Sequence, residues 1–512
     1  MLLSAKAALL PGLALASGCL DNVQLPTLPE ARVLDITSSA VSNLTIPSNL
    51  TGIIDAPAVD ICNVTVTLTH PGDDDHVYVT IWLPRAEEWN GRYAATGGGG
   101  LAAGYEHNML APVLSGFAAS STDGGITLNH TVNPQSGRWI SRANGTVNTP
   151  LLINLAYRSV HDMAVVSKQI LEQYYNVAPS KSYFTGCSQG GRQGYASAAH
   201  YPEDFDGILA VAPALSSELI GPANFWPWIV MRDEEELVPA CVFRKFEEAI
   251  IQACDPVDGA TDGLISHANL LRSCAFHPTY LVGKIALCEG STYETITAKH
   301  ARIVQKILEG PRDENGERIW YGLTLGAPFS GIADTVLLNG TMTPKPFVAS
   351  AGWLQGMLRR NVTNLFAITE SEYLAVFETS IEIGSDLFGL DTLDLTNFQA
   401  SGAKLLSWVG LSDEAINPLN LLDFYDSVRQ TFGDDGTVDD FYRLFTAPGV
   451  GHCMGGHGPQ PINAMPALTL PTKPTHLNTT AREAPRYLCR YPKKPIYMGG
   501  DVHDGSSFRC LA

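Results

Sequence analysis

Apolar and polar residues alternate with a period of two over Val64–Leu68 and over Val77–Trp82, which predicts two half-buried strands. Pro71-Gly-Asp-Asp-Asp75 between them is a turn. Arg92–Ala95 predicts a further short strand that runs into Gly97–Gly100. The period then changes. Met163, Val166, Ile170, Leu171 and Tyr174 recur at helical spacing, so an amphipathic helix is expected over 158–175. Lys181–Thr185 predicts a strand, 190–200 a helix of small residues, and Ile208–Ala212 a buried strand ended by Pro213. Strands alternating with helices imply a mostly parallel α/β sheet. Over 214–399 this pattern disappears, and the chain becomes rich in Trp, Pro and Gly with irregular helical stretches. Such a length is too great for one connection in a compact sheet, so it is expected to be an inserted lid domain. The sheet pattern resumes at Lys404–Val409, followed by a helix over Leu419–Thr431 and a strand over Tyr442–Thr446. The expected core is therefore assembled from 19–213 and 400–512.

The predicted strand at 181–185 and the helix at 190–200 flank Gly186-Cys187-Ser188-Gln189-Gly190. This G-x-S-x-G pattern places a serine on a sharp strand-to-helix turn with its hydroxyl exposed. A serine attacks only when a base takes its proton. His452 is followed by Cys453, and a bond between Cys187 and Cys453 would draw Ser188 and His452 together. Asp413, in Gly410-Leu-Ser-Asp413 after a predicted strand, is the expected partner of the histidine, because the order Ser, Asp, His is that of α/β-hydrolases. The alternative for Asp413 is a helix cap. Asp434, Asp435, Asp439 and Asp440 are rival acids, and His457 is a rival base. An oxyanion would need backbone donors. The amide of Gln189 and one from the glycine run, assigned to Gly99, are the candidates.

Cys254 opens a second motif, in which Asp255, Asp258 and Asp262 alternate with glycines up to Leu264. Oxygen ligands at that spacing suit a hard cation such as Ca2+; the alternative is an acidic surface turn. Trp226, Trp228, Trp320 and Trp353 are candidates to stack on an aromatic group, or else lid core.

Composition narrows the setting. The 512 residues are 45% hydrophobic and 17% charged, with a net charge of -19 and a pI near 5.0. That balance disfavours nucleic acid and anionic membrane surfaces as partners. Lys6, the apolar stretch Ala7–Ala16 and the small residues at 16–18 read as a signal peptide over 1–18. Ten cysteines then imply about five disulfides in an extracellular protein. Sequons begin at Asn43, Asn49, Asn63, Asn129, Asn144, Asn339, Asn361 and Asn478, which suits a secreted glycoprotein.

At Gly97–Gly100, at Gly186-Cys-Ser-Gln-Gly-Gly191, in the acidic loop 254–264, at Gly410–Asp413, at Gly451-His-Cys453 and in the ending Cys489 to Cys510, the chain resembles the tannase and feruloyl esterase family of secreted serine esterases. The resemblance implies an α/β-hydrolase core, a lid over the active site and a structural Ca2+ in that lid. It implies Ser188, Asp413 and His452 as the catalytic triad. It also implies calcium ligands at Asp255, Asp258 and Asp262, with backbone oxygens from Ala260 and Leu264. Together with proximity along the chain it implies the pairs Cys19–Cys62, Cys241–Cys288, Cys254–Cys274 and Cys489–Cys510. Family members cleave esters of phenolic acids, either small molecules or groups linked to plant cell walls. Two other readings stay open: a carboxylesterase, lactonase or acyltransferase acting on a secondary metabolite, and a binding module on a hydrolase fold that has lost its chemistry.

Overall fold

Nine strands build the central sheet of the computed structural model, which describes residues 18–20, 23–358, 364–433, 435–469, 476–477, 479–480 and 487–511. The expected signal segment up to residue 17, the sequons at Asn361 and Asn478, and Asp434 lie outside these residues. The strands are β1 (Arg32–Leu44), β2 (Val59–Thr69), β3 (Val77–Pro84), β4 (Arg92–Thr96), β5 (Ala118–Thr122), β6 (Lys181–Cys187), β7 (Gly207–Val211), β8 (Lys404–Gly410) and β9 (Tyr442–Ala447). They lie in the order β1-β2-β3-β5-β4-β6-β7-β8-β9. Pairing is antiparallel from β1 to β5 across the sheet and parallel from β5 to β9.

The alternation in β2 has its physical cause in one-sided burial. Val64, Val66 and Leu68 are fully buried, while Thr65 and Thr67 are half-buried. The helices Ser159–Tyr175 and Gln189–His200 pack on the sheet. Val160, Met163, Val166 and Ile170 carry the first helix into the core. This is an α/β-hydrolase core.

Between β7 and β8 the described residues add no strand to the sheet. They form the helices Ser217–Ala223, Trp226–Asp233, Ala240–Cys254, Ala298–Glu309, Val348–Met357 and Glu370–Phe388, with hairpins at Ile285–Thr295 and Thr335–Pro344. Disulfides Cys241–Cys288 and Cys254–Cys274 clip this insertion internally. Trp353, 2% exposed, fixes two of its helices together by donating from Nε1 to Ser380 Oγ at 2.8 Å. The buried side chains of insertion and sheet form one continuous cluster, so the insertion is seated on the core. Cys19–Cys62 ties the N-terminal segment to β2, and Cys489–Cys510 ties the C-terminal hairpin to the segment before it.

Candidate active site

β6 ends at Cys187, and the chain turns so sharply into the following helix that Ser188 adopts φ 61° and ψ -122°. A side chain is held there only because the surroundings force it, at a cost of about 1–3 kcal/mol. The backbone bonds show the forcing. The Ser188 amide donates to the Val211 carbonyl at 3.0 Å, and its carbonyl accepts from the Arg192 and Ala214 amides. Glycine is required around the turn, since a Cβ at Gly97 would lie 2.6 Å from Gly190 Cα and one at Gly186 would lie 2.5 Å from the Gly190 carbonyl carbon.

The bond between Cys187 and Cys453 joins residues 266 apart in sequence. It brings the residue before Ser188 against the residue after His452. His452 is then held from two sides. Its Nδ1 lies 2.9 Å from Asp413 Oδ2, and its backbone amide donates to Glu414 Oε2 at 3.1 Å. Asp413 is 1% exposed, and its other oxygen accepts from the amides of Ala415 at 2.9 Å and Ile416 at 2.7 Å. One carboxylate oxygen therefore organises the turn and the other orients the imidazole. Asn417, not Asp413, caps the helix Pro418–Phe432. Burial lowers the affinity of His452 for a proton, but the carboxylates of Asp413 and Glu414 outweigh it and raise its pKa above the ordinary value. Burial and the Asp413 charge in turn push Glu414 up.

Ser188 opens on a cavity between the sheet and the insertion. Leu155, Ile220, Phe347, Trp353, Phe388 and Ile416 are large apolar side chains in its wall. All but Leu155 and Ile416 come from the insertion. Gln189 and Gly100 also line it.

A family model described as "Tannase and feruloyl esterase" matches residues 62–511. The chain belongs to that family. It is a carboxylic ester hydrolase. A protein of Arthroderma benhamiae named "Probable feruloyl esterase" is 39% identical, over 96% of this chain and 93% of that one. The "Tannase" of Aspergillus oryzae is 26% identical over 93% and 89%. Among solved structures, the tannin acyl hydrolase from Aspergillus niger superposes with a TM-score of 0.81 at 24% identity, covering 95% of this chain and 92% of that one. Feruloyl esterase B from Aspergillus oryzae gives 0.75 at 23% identity, over 95% and 97%. These likenesses carry the fold.

His457 is exposed, and its amide bonds the Gly449 carbonyl. Among the rival acids, Asp439 pairs with Arg490 beyond the helix that follows β8. Of the four tryptophans, Trp353 lines the cavity. Trp226 and Trp320 line a separate cleft behind Asp413 and Glu414, and Trp228 is buried. Gly100 lines the cavity, whereas Gly99 turns its carbonyl toward Tyr105, Gln135 and Ala102. Glu414 was missed at the level of sequence. Its position beside Asp413 was the only available signal, and nothing local says that it reaches back to the amide of His452.

The acidic loop is wound by its own carboxylates. Asp255 accepts from the amides of Asp262 at 3.2 Å and Gly263 at 2.9 Å; Asp258 accepts from Ala260 and Asp262 from Leu264. Among the described residues no three or more His, Cys, Asp or Glu side chains gather into a metal-holding group. Asp258 Oδ2 is nonetheless buried without a hydrogen-bond partner, and burial together with Asp262 and Asp258 pushes the Asp255 carboxyl up. Leu264 packs against Gly449, in the segment that leads to His452.

Proposed function

We propose that the protein hydrolyses esters of small aromatic acids of the phenolic type through an acyl-enzyme on Ser188. The observation that carries this reading is the aromatic and aliphatic cavity directly beside Ser188, whose neighbour Cys187 is bonded to Cys453, next to a histidine already paired with a buried aspartate. Asp413 accepts the Nδ1 proton of His452, which leaves Nε2 to take the proton of Ser188 Oγ as it attacks the ester carbonyl. The tetrahedral oxyanion is met by backbone amides, that of Gln189 among them. His452 then protonates the departing alcohol. Water, activated by the same histidine, releases the acid and restores Ser188.

The wall of the cavity favours acyl groups with few hydroxyls. Ser350 Oγ donates to the Gly221 carbonyl, Ser217 Oγ to the Ala214 carbonyl, and Asn224 Nδ2 to the Ala415 carbonyl, so both hydroxyl protons and one Asn224 amide proton are engaged, and few polar groups in a largely apolar wall are left to pair with added hydroxyls. Each unmatched hydroxyl buried there costs about 1–3 kcal/mol. Methyl ferulate, with one phenolic hydroxyl, is expected to be turned over with a kcat/KM at least about tenfold above that of methyl gallate, with three. Equal or reversed values, measured side by side with a plain aliphatic ester, would move the reading toward a tannase-like or general carboxylesterase activity.

The family also implies Ca2+. The chemistry of the acidic loop suits it: the Asp258 carboxylate has a buried oxygen with no hydrogen-bond partner, and three carboxylates share one short, tightly wound loop. Asp255, Asp258 and Asp262, with the carbonyls of Ala260 and Leu264, would hold the ion, which supplies fixed positive charge to the insertion. A ligand bound only by the folded state stabilises it by about 3 kcal/mol at a hundredfold excess over Kd. EDTA is therefore expected to lower the melting temperature and added Ca2+ to restore it. An unchanged melting curve after chelation, with no metal by elemental analysis, would return the loop to an acidic turn. Secretion accords with five disulfides and with the absence, among the described residues, of any helix long and apolar enough to cross a membrane.

A further inference from the structure

The Gly99–Gly100 peptide is gripped by its carbonyl. Gly99 O accepts from Tyr105 Oη at 3.0 Å, from Gln135 Nε2 at 2.9 Å and from the Ala102 amide at 3.1 Å. Gln135 Nε2 also donates to Tyr105 Oη at 2.8 Å, and Gln135 Oε1 accepts from the Leu101 amide at 3.1 Å. A backbone amide only donates, so the orientation of the Gln135 carboxamide is set by Leu101. Gly100 has φ +60°, and a Cβ on it would lie 2.4 Å from Gln135 Oε1; the carboxamide occupies the space a side chain would need.

A trans peptide points its C=O and N–H in opposite directions. The Gly99 carbonyl faces Tyr105 and Gln135, so the Gly100 N–H faces away from them. Gly100 is also a wall of the cavity that holds Ser188 and Gln189. We propose that Gln135 and Tyr105 are positioning residues for the hydrolysis: they lock this peptide so that the Gly100 N–H joins the Gln189 N–H in binding the oxyanion. The role rests on the acyl-enzyme reading at Ser188. It ties the insertion to the reacting centre as well. The Gln135 carbonyl sits where a Cβ of Gly352 would be, at 2.2 Å, on the helix that carries Trp353 into the cavity.

The test uses two variants of the full chain. Gln135→Glu is nearly isosteric and still accepts from the Leu101 amide, but it sets an acceptor against the Gly99 carbonyl. Tyr105→Phe removes one donor and leaves the ring packed. Kinetics on methyl ferulate would be measured with the affinity for an aryl boronic acid, whose tetrahedral adduct with a serine carries an oxyanion-like oxygen. Loss of one oxyanion donor costs about 10²–10³ in kcat, and Gln135→Glu is expected to approach that range. Tyr105→Phe is expected to lose about tenfold, because two of the three bonds to Gly99 O remain. KM should stay within about threefold of the parent, boronate affinity should fall in step with kcat, and the melting temperature should be kept. A parent-like kcat in both variants, or a reduced kcat with unchanged boronate affinity, would overturn the proposal. If Gln135→Glu fails to fold, Tyr105→Phe decides alone by the same two readouts. Mass spectrometry of the parent after treatment with a fluorophosphonate separates the two levels: absence of an adduct on Ser188 sinks the acyl-enzyme reading, whereas a labelled parent with unaffected variants sinks only the positioning role.

Discussion

Replacing Ser188 by alanine is expected to abolish ester turnover while leaving the fold intact. The effect is large because the hydroxyl is the only group the proposed mechanism offers for attack. Asp413 and His452 would remain hydrogen-bonded, yet they would have no proton to remove. Triad losses of this kind reach about 10⁶ in kcat, and members of a triad act as a unit. The fold should survive because the turn is held by backbone bonds from residue 188 to Val211, Arg192 and Ala214, which alanine also makes. The check is kcat together with the melting temperature. Residual activity above about 1% of the parent in a folded variant would remove Ser188 from the mechanism.

Replacing both Cys187 and Cys453 by alanine is expected to cost stability and rate together. The bridge spans 266 residues of chain, and the chain-entropy treatment of such a loop assigns it about 5 kcal/mol. The effect on rate has a different origin. Without the bridge, His452 keeps its bonds to Asp413 and Glu414 but loses its covalent link to the strand that carries the serine. Asp413 and Glu414 sit together on the loop after β8, so they can hold the imidazole to that loop while both drift from Ser188. A displacement of about 1 Å costs on the order of a hundredfold in rate. A kcat depressed well below the melting temperature is the expected result. A parental kcat at low temperature, with only the melting point lowered, would make the bridge a stability staple and nothing more.

The elements legible in the sequence were those whose burial is one-sided or whose turn is local. β2 declared itself by alternation, because one of its faces is packed more tightly than the other; β3 alternates as well, but it is not the half-buried strand expected, since both its faces are covered and only Tyr78 is partly exposed. The serine turn declared itself because a sharp strand-to-helix turn needs small residues at fixed offsets, and Gly186 and Gly190 occupy them. Two strands gave no such sign. β5 is Ala118-Ala-Ser-Ser-Thr122, buried at every position. In the middle of a sheet covered on both faces, small residues serve for close approach, and no period distinguishes inside from outside. β1 is largely exposed and rich in serine, and only its ladder to β2 makes it a strand.

The same division runs through the site. Residue types and order along the chain marked Ser188, Asp413, His452 and the two cysteines beside them, since that chemistry demands particular side chains next to particular turns. The tertiary structure alone decided that Glu414 reaches the amide of His452 and that Phe347, Trp353 and Phe388 from the insertion close the cavity over Ser188. It alone set Gln135 and Tyr105 against the Gly99 carbonyl. Except for Tyr105, six residues from Gly99, those contacts join segments tens to hundreds of residues apart, and all are selected by packing and by the need of buried polar groups for partners. Neither requirement leaves a periodic or local mark on the chain.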